Sequence, residues 1–283
     1  MNKKVLLTGG NGYIARNLKP LLESNGYVVY APSHTELDIL NKEYLSEYLK
    51  KECFDAIIHT ATKGGIRTKK DTFEDVYIPN ILMYENLESL IGNTPMTVIG
   101  SGAEFDRRFP IKEVGECDVL YKFPIDPYGL SKNIITRKIL LKNNCQKINI
   151  LRLFGCFSYD EPNTRFIKSV ISNFKQEIPP EIHKDLKMDF FYLDDVFNVL
   201  HYGLNGGYLP ENLNLVYEYK TNLLGITRII DKYMGSKSKL TSVKVNSLYL
   251  GNDYTGDGYK LSTLPIKLIG LEEGIKRTIN KLI

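Results

Sequence analysis

Residues 3–15 read KKVLLTGGNGYIA, and this stretch decides the fold of the chain. The residues up to Thr8 form a short apolar run that stops at glycines, which is typical of a buried parallel strand. An apolar-periodic segment that continues to Leu22 predicts a helix after Gly12. A strand, a glycine turn and a helix start in this order are the context that a dinucleotide-binding fingerprint requires.

The small residues of this turn have separate physical roles. Gly9 permits the tight turn, Gly12 lets the backbone approach a pyrophosphate, and Ala15 lets the helix pack closely on the strand. The N-terminus of the helix offers unpaired N–H groups and a partial positive charge to phosphates. We therefore expect Tyr13 and Ile14, at the start of the helix, to contact the cofactor together with the two glycines.

The residues that follow repeat this alternation of strands and helices. Strands are predicted at residues 27–31, 36–39, 55–61, 97–101 and 147–153, and helices at 41–51, 72–91 and 128–143. Pro20 should kink or shorten the first helix. The alternation predicts an α/β fold, a Rossmann-like doubly wound parallel sheet with right-handed crossovers. Gly9, Ala61 and Ser101 fall at predicted strand ends, where ligands bind in such sheets.

The regular rhythm breaks in the second half of the chain. Helices are predicted at residues 163–174, 194–204 and 271–283, with a strand at 187–193. We interpret residues 1–155 as a dinucleotide-binding Rossmann domain, to which residues 186–204 return. Residues 156–185 and 205–283 are expected to form a smaller C-terminal α+β lid that binds the substrate.

Composition excludes several other classes of protein. The net charge of +4 gives little support for nucleic-acid binding, and no apolar run approaches the length of a membrane span. The four cysteines and four histidines are scattered without metal-ligand spacing or a disulfide pattern. We therefore expect a reduced, cytoplasmic protein that binds no metal, nucleic acid or membrane.

Ser101, Tyr128 and Lys132 are the candidate catalytic residues. The spacing Tyr-x-x-x-Lys occurs at Tyr128/Lys132 and again at Tyr233/Lys237, and residues four apart on a helix need no shared chemistry. Context separates the two pairs, because only the first follows a predicted strand that ends in serine. A glycine and a serine interrupt the predicted helix of the second pair.

The first pair suits proton transfer to or from oxygen. Tyr128 and Lys132 lie on one face of a predicted helix. A lysine ammonium about 4.5 Å from a phenol would lower the pKa of the phenol by about 2.5 units, towards the range of general acid–base catalysis. Lys132 would also donate to a nicotinamide ribose, and the Ser101 hydroxyl would polarise a substrate carbonyl. The cofactor would supply the hydride.

The end of the second predicted strand bears on the choice of cofactor. Residues 32–34 read PSH and offer no carboxylate to hold both hydroxyls of an adenosine ribose. This favours NADP over NAD, although no arginine stands there either and NAD stays an alternative. Asp38 is a candidate contact for the adenine or an ordinary surface residue. Ala61 and the following glycine turn are expected to lie against the cofactor. Asn80 is expected to steady either the cofactor or the network around Lys132.

These motifs resemble a known family. Thr8-Gly9-x-x-Gly12-x-x-Ala15, Ser101 and Tyr128-x-x-x-Lys132 are similar to the corresponding motifs of the extended short-chain dehydrogenase/reductases, which include nucleotide-sugar epimerases, dehydratases and reductases. Segments 35–40, 61–66 and 190–195 resemble those of the GDP-fucose synthases within it. The resemblance implies a Rossmann fold, a nucleotide-sugar substrate and a homodimer formed through two helices, Ile78–Leu90 and Ile134–Leu141.

Departures from the family pattern narrow the expected reaction. Ala103 stands where those synthases carry a cysteine for epimerisation, and Arg165 where they carry its histidine partner; the dehydratases have Asp-Glu at Gly102 and Ala103. Alanine and glycine cannot move a proton, and arginine is a poor base. The resemblance then implies an NADP-dependent reductase of a 4-keto (deoxy)sugar nucleotide for surface polysaccharide. Ser101, Arg165 and Lys187 are its expected substrate contacts.

Two alternatives stay open. One is a nucleotide-sugar epimerase that keeps NAD tightly bound and shows no net use of the cofactor. The other is a sensor that holds a dinucleotide without catalysis, and the retention of Ser101, Tyr128 and Lys132 weighs against it.

Overall fold

The computed structural model of the chain describes residues 2–65, 69–142, 147–235 and 253–283, together with the backbone of residues 244–245. Five residues that enter the sequence interpretation lie outside these ranges. They are Ile66 of the second glycine turn, Asn143 at the predicted end of a helix, Cys145 of the scattered cysteines, and Ser236 and Lys237 of the second Tyr-x-x-x-Lys pair.

The described elements follow one another in an α/β order. The first half contains β1 (Lys4–Thr8), α1 (Tyr13–Ser24), β2 (Val28–Tyr30), α2 (Lys42–Lys51), β3 (Ala56–His59), α3 (Ile78–Leu90), β4 (Met96–Ser101), β5 (Ile111–Val114), α4 (Pro127–Leu141) and β6 (Ile148–Leu153). A π-helical segment, Phe73–Tyr77, leads into α3, and 3₁₀ turns occupy Gly102–Glu104 and Glu116–Leu120.

The second half of the chain has shorter strands. It contains β7 (Cys156–Phe157), α5 (Phe166–Lys175), β8 (Glu181–Ile182), β9 (Phe191–Tyr192), α6 (Leu193–Leu204), β10 (Asn212–Leu215), α7 (Leu223–Met234), β11 (Lys244–Val245), β12 (Tyr254–Gly256), α8 (Tyr259–Ser262) and α9 (Leu271–Leu282).

Six strands form one parallel sheet in the order β10-β6-β4-β3-β1-β2. The strand order changes direction at β1, which pairs with β2 on one side and β3 on the other. The register aligns Thr8 with His59 and Ser101 with Leu153, so the strands end at a common edge. The predicted doubly wound α/β fold is confirmed.

Helices cover both faces of the sheet. Apolar side chains of α1 and α6 form the core on one face, and those of α2, α3 and α4 form the core on the other. A third apolar cluster lies among α5, α7 and α9, around Phe157 and Tyr192. This arrangement leaves the carboxyl ends of the central strands as the place where loops from several elements meet.

The prediction of a strand at residues 36–39 is wrong. These residues form turns, although buried Leu37 and Ile39 alternate with exposed Glu36 and Asp38 as a strand would. The Glu36 carboxylate accepts hydrogen bonds from the N–H and hydroxyl of Ser33, and this local bonding holds a turn. The alternation of buried and exposed residues therefore reflects the packing of Leu37 and Ile39 in the core and not a β-strand.

The first helix is not shortened at Pro20. It continues for four residues after Pro20, to Ser24. Pro20 is exposed, so the backbone carbonyl that its missing N–H leaves unpaired can face water.

The strand predicted at residues 187–193 is short in the structure. Only Phe191–Tyr192 pair as a strand, with β7, whereas Lys187 and Met188 form isolated bridges to Asn222 and Tyr254. The chain therefore changes pairing partners along this segment.

The edge strand β10 corrects one boundary of the predicted lid. Asn212–Leu215 pair with β6 in the main sheet, although they belong to the range 205–283 that was assigned to the lid. The rest of the division into two domains stays a prediction. Among the described residues, no helix combines the length and the apolar character needed to cross a membrane.

Candidate active site

The ends of β1 and β3 touch at the rim of the sheet. Gly9 has a φ of +71°, and a Cβ atom there would lie 2.8 Å from the Cα atom of Ala61. Neither the backbone conformation nor the space admits a side chain, because L-residues rarely adopt this φ. The structure therefore brings the two predicted cofactor loops into contact at Gly9 and Ala61.

The start of α1 fits a dinucleotide pyrophosphate. Gly12 is the N-cap residue, and a Cβ atom there would meet only the Gly9 carbonyl oxygen, at 3.0 Å, within 4 Å. The N–H groups of Tyr13 and Ile14 begin the helix, where no intrahelical acceptor is available. The first turn of α1 carries no acidic residue that would repel a phosphate. Open space before unpaired N–H groups is what phosphate oxygens require.

The side chain of Tyr13 also contacts residues outside this space. Its hydroxyl donates to the Ser158 hydroxyl at 2.9 Å, and the Arg165 guanidinium lies 5.1 Å from its ring. Arg165 also donates to the Cys156 carbonyl at 3.0 Å. The Tyr13 side chain thus connects the proposed pyrophosphate site to Arg165, which is a predicted substrate contact. The predicted contact of Tyr13 with the cofactor would be made by its backbone N–H.

Ser101 and Tyr128 meet at the end of β4. The Ser101 side chain is near enough to the Tyr128 phenol to lower its pKa. Asp126 caps α4 by accepting from the Gly129 N–H at 2.8 Å, which fixes the first turn that carries Tyr128. The geometry therefore places a hydroxyl and a phenol side by side on two rigid elements.

The pKa of Tyr128 is shifted in the opposite direction to the prediction. Burial raises the pKa of the phenol above its usual value, and Glu104 raises it further, whereas Ser101 and Arg165 act in the other direction. The expected lowering by Lys132 is therefore wrong for this arrangement. A phenol that keeps its proton at neutral pH is suited to donate it to an oxygen that becomes basic during a reaction.

Lys132 lies below the rim and is almost fully buried. Its ammonium donates to the Ile99 carbonyl at 3.0 Å, and burial lowers the pKa of Lys132 to about 8. His59, also buried, shares a hydrogen bond of 2.9 Å with the Thr8 hydroxyl, and burial followed by the charge of Lys132 lowers the pKa of His59 to about 3. His59 is therefore neutral, and of these two residues Lys132 carries the positive charge.

Asn80 supports the second glycine turn from beneath. Its amide nitrogen donates to the Lys63 carbonyl and to the Ser131 hydroxyl, both at 3.0 Å, and its carbonyl oxygen accepts from the Lys63 N–H at 2.8 Å. It therefore joins the loop after β3 to α4 near Tyr128. Any effect of Asn80 on the cofactor would pass through this loop.

Two predicted contacts lie on the surface. Asp38 is exposed, and its carboxylate accepts from the Leu40 N–H at 3.0 Å, so it stabilises a turn. Lys187 is exposed, and its backbone N–H donates to the Asp253 carboxylate at 2.9 Å. The structure brings neither side chain next to Ser101 and Tyr128. Nor do three His, Cys, Asp or Glu side chains of the described chain group as metal ligands.

Glu104 has a position that sequence reasoning missed. Its side chain is fully buried. One oxygen accepts from the Ser101 N–H at 2.7 Å, and the other from Arg152 Nε at 2.8 Å. The available signal was Arg152, which stands within the otherwise apolar strand β6, since a buried charge needs a partner.

Tyr254 is a second residue that the sequence did not reveal. The Ser101 side chain is near enough to its phenol to lower the pKa of Tyr254, as it does for Tyr128. A Cβ atom at Gly102 would lie 2.6 Å from the Tyr254 hydroxyl oxygen. Nothing in the local sequence links residue 254 to residue 101, because the contact is made by distant parts of the chain.

Gly65 lies against the face of the Tyr128 ring, and its replacement tests this contact. Gly65 has a φ of +72°, and a Cβ atom there would lie 3.0 Å from Tyr128 Cζ. We expect Gly65→Ala to cost about 1–2 kcal/mol of stability and to lower turnover by about 10-fold or more, because the ring must move. Gly26→Ala is the matched control, since Gly26 has a φ of +87° with nothing within 4 Å. Equal loss of turnover in both variants would contradict the contact.

Glu161 gives a prediction for the pH dependence of stability. It is buried close to Tyr13 and Arg165, and burial raises the pKa of its carboxyl from 4.5 to about 7, against the opposing effect of Arg165 and Lys168. Between these two pH values the folded protein holds a proton that the unfolded chain releases, so its stability falls as the pH rises. Glu161→Gln keeps an oxygen for the Lys168 N–H, which Glu161 binds at 3.0 Å.

We therefore expect Glu161→Gln to raise the free energy of unfolding by on the order of 2 kcal/mol at pH 8 and to change it little at pH 4.5. Urea unfolding at both pH values measures the difference. A gain of equal size at the two pH values would show that the ionisation of Glu161 is not the cause.

The sequence has relatives of known activity. GDP-L-colitose synthase from Yersinia pseudotuberculosis is 24% identical over 272 residues, which cover 83% of this chain and 83% of that protein. GDP-6-deoxy-D-talose 4-dehydrogenase from Aggregatibacter actinomycetemcomitans is 25% identical over 283 residues, which cover 89% and 92% of the two chains.

The fold is shared with a solved structure. GDP-mannoheptose C4 reductase from Campylobacter jejuni, with NADP bound, superposes with a TM-score of 0.80 at 15% identity and covers 99% of this chain and 98% of its own. The sequence model of the NAD dependent epimerase/dehydratase family matches residues 5–215. This match spans the glycine turn and the Ser101, Tyr128 and Lys132 positions, and it confirms the resemblance to the extended short-chain dehydrogenase/reductases. The chain is an enzyme and belongs to the NAD dependent epimerase/dehydratase family.

Proposed function

We propose that the protein is an NADP-dependent reductase of a 4-keto (deoxy)sugar nucleotide in the biosynthesis of surface polysaccharide. One observation carries the proposal: a protonated phenol and a serine hydroxyl meet at the rim, and the two positions that follow the serine offer no acid or base. Those positions are Gly102 and Ala103, and the space beside Gly102 is filled by Tyr254 and Phe154. Proton transfer at oxygen is thus provided, whereas proton transfer at carbon lacks its residues.

The residues of the chain would divide the work between proton transfer and orientation. When bound, a reduced nicotinamide would supply a hydride to the carbonyl carbon. Tyr128 would donate its proton to the carbonyl oxygen as that oxygen gains charge, and Ser101 would hold the oxygen in place. Lys132 would donate to the nicotinamide ribose, and the charge of Arg165, which lowers the pKa of Tyr128, would favour the transfer by stabilising the phenolate that forms.

Arg165 and the exposed Lys187 are the proposed contacts for the diphosphate of the substrate. Arg165 lowers the pKa of Tyr128 through its charge, so its guanidinium lies within electrostatic range of the reaction centre. Guanidinium groups bind phosphate oxygens in a bidentate manner. GDP is the first nucleotide to test, because the relatives reported above carry GDP in their names.

The test of the proposed function is the oxidation of NADPH by the purified protein. We expect turnover with a 4-keto sugar nucleotide drawn from a panel of GDP-, dTDP-, CDP- and UDP-linked substrates, and slower turnover with NADH. No turnover across the panel would reject the proposal. Product formed without net loss of NADPH, with nicotinamide absorbance retained after dialysis, would instead identify an epimerase.

Two further features belong to the proposal. Residues 156–185 and most of 205–283 would form the lid over the substrate, with residues 212–215 left in the sheet. The protein would be a homodimer through α3 and α4, since Ile78 and Leu82 of α3 and Leu141 of α4 are exposed apolar side chains. Analytical ultracentrifugation would decide the oligomeric state.

A further inference from the structure

Tyr254 is held against the reaction centre by its own backbone. Its N–H donates to the Lys187 carbonyl at 2.8 Å, and its carbonyl accepts from the Asp189 N–H at 3.1 Å. On the other side β12 pairs with β5, at Tyr254 with Ile111. A side chain on a strand that is bonded along both edges has little freedom to move away.

Packing around Phe154 fixes the direction of the Tyr254 ring. The two rings meet edge to face with their centroids 5.2 Å apart. A Cβ atom at Gly256 would lie 2.6 Å from Phe154 Cε2, so the glycine lets β12 lie close to this ring. Gly102 is equally restricted, since its Cβ atom would lie 2.6 Å from both Phe154 Cδ1 and the Tyr254 hydroxyl oxygen. The hydroxyl of Tyr254 therefore contacts the backbone next to Ser101.

Both phenols lie near the same arginine. Arg107 is paired with Asp126 at 3.0 Å and interacts electrostatically with Tyr128 and with Tyr254. The Ser101 side chain is near enough to both phenols to lower the pKa of each. Ser101 thus stands between Tyr128, which would transfer the proton, and Tyr254, for which the proposed reaction has no role.

A count of hydrogen-bonding positions on Ser101 gives Tyr254 a role. A serine hydroxyl has one proton and two acceptor sites. One site is used by the Ala103 N–H, at 3.2 Å. If Tyr254 donates to the second site, the serine proton is the group that is left to point at a substrate oxygen. Burial raises the pKa of Tyr254, so this phenol has a proton to donate at neutral pH.

We propose that Tyr254 is a positioning residue that donates a hydrogen bond to the Ser101 hydroxyl and directs the serine proton towards the carbonyl oxygen of the substrate. The inference rests on the proposed function, because it concerns the orientation of a carbonyl. It also explains the glycine at position 102, since a side chain there would displace the Tyr254 hydroxyl.

A double-mutant cycle tests the proposal through turnover. We expect Tyr254→Phe to lower kcat about 10-fold with the KM for NADPH unchanged within about two-fold, and Ser101→Ala to lower kcat about 100-fold. The double variant should be no slower than Ser101→Ala, because Tyr254 acts through Ser101. Losses that multiply, or a Tyr254→Phe protein with the kcat of the wild type, would overturn the proposal.

Tyr217→Phe is the matched control for a purely structural loss. Its hydroxyl donates to the buried Asp195 carboxylate at 2.6 Å, so the variant should be less stable but keep its kcat per folded molecule. An equal fall of kcat in Tyr217→Phe and Tyr254→Phe would contradict a specific role for Tyr254.

A crystal structure of the complex with NADP tests the contact without reference to activity. We expect the Tyr254 Oη and Ser101 Oγ atoms to lie within about 3.2 Å, and a separation beyond about 4 Å overturns the proposal. If the wild type turned over no 4-keto sugar nucleotide, the proposed function would fail, while this distance would still decide the contact.

Discussion

Replacement of Tyr128 by phenylalanine should lower kcat about 1000-fold while the affinity for NADPH stays within about two-fold of the wild type. The phenol is the proton donor of the proposed reaction, and burial raises its pKa, so the proton is present at neutral pH. Phenylalanine keeps the ring that packs on Gly65, whose Cβ atom would lie 3.0 Å from Tyr128 Cζ, and therefore keeps the shape of the site. Single-turnover oxidation of NADPH measures the chemical step, and fluorescence titration measures the affinity for the cofactor.

Tyr219→Phe is the control for this variant. Tyr219 is 82% exposed, so removing its hydroxyl should change neither kcat nor stability. Retention of more than about a tenth of wild-type turnover by Tyr128→Phe would show that another group donates the proton. Weaker binding of NADPH with unchanged kcat would show that Tyr128 serves the cofactor alone.

The central fold was predictable because its signals are local. Each buried strand of the first half is a short apolar run, and the glycine turn at Gly9 and Gly12 has a conformational requirement that only glycine meets. The strand β10 lacked such a signal. It reads NLNL, and its asparagines are buried because they bind distant groups: Asn212 donates to the Glu116 carbonyl at 2.9 Å, and Asn214 accepts from Arg152 Nη1 at 2.9 Å. The polar sequence of β10 did not indicate a buried strand, because the hydrogen-bond partners of its asparagines lie far away along the chain.

The candidate site shows the same limit. Ser101, Tyr128 and Lys132 follow from the spacing of residues within one segment, and the structure places all three near the end of β4. The surroundings of Ser101 depend on distant residues: Tyr254 follows it by about 150 residues, and Glu104, which binds the Ser101 N–H, is held by Arg152 from β6. Local pattern therefore predicted the proposed reacting groups but not the distant side chains that surround them.

The Glu104–Arg152 pair links several elements below the site. Both side chains have no exposed surface, and Arg152 Nη2 lies 2.8 Å from the Glu104 carboxylate. The same carboxylate accepts from the Thr136 hydroxyl of α4 at 2.8 Å and from the Ser101 N–H of β4 at 2.7 Å. A Cβ atom at Gly100 would lie 2.6 Å from Glu104 Oε1, so the strand makes room for the buried charge. The pair therefore couples the stability of the sheet to the position of Ser101.

Glu104→Ala should lower the free energy of unfolding by about 3–5 kcal/mol, because it leaves the Arg152 guanidinium buried without a carboxylate. The same substitution in an exposed pair, Glu273→Ala beside Arg277 on α9, should cost less than about 1 kcal/mol, since water replaces the lost partner. Combined Glu104→Leu and Arg152→Met should be more stable than Glu104→Ala, because no charge is then left unpaired. Urea unfolding measures all three. A loss in Glu104→Ala as small as that in Glu273→Ala would mean that the buried charges are already solvated, and a combined variant less stable than Glu104→Ala would mean that shape, and not charge, holds Ser101 in place.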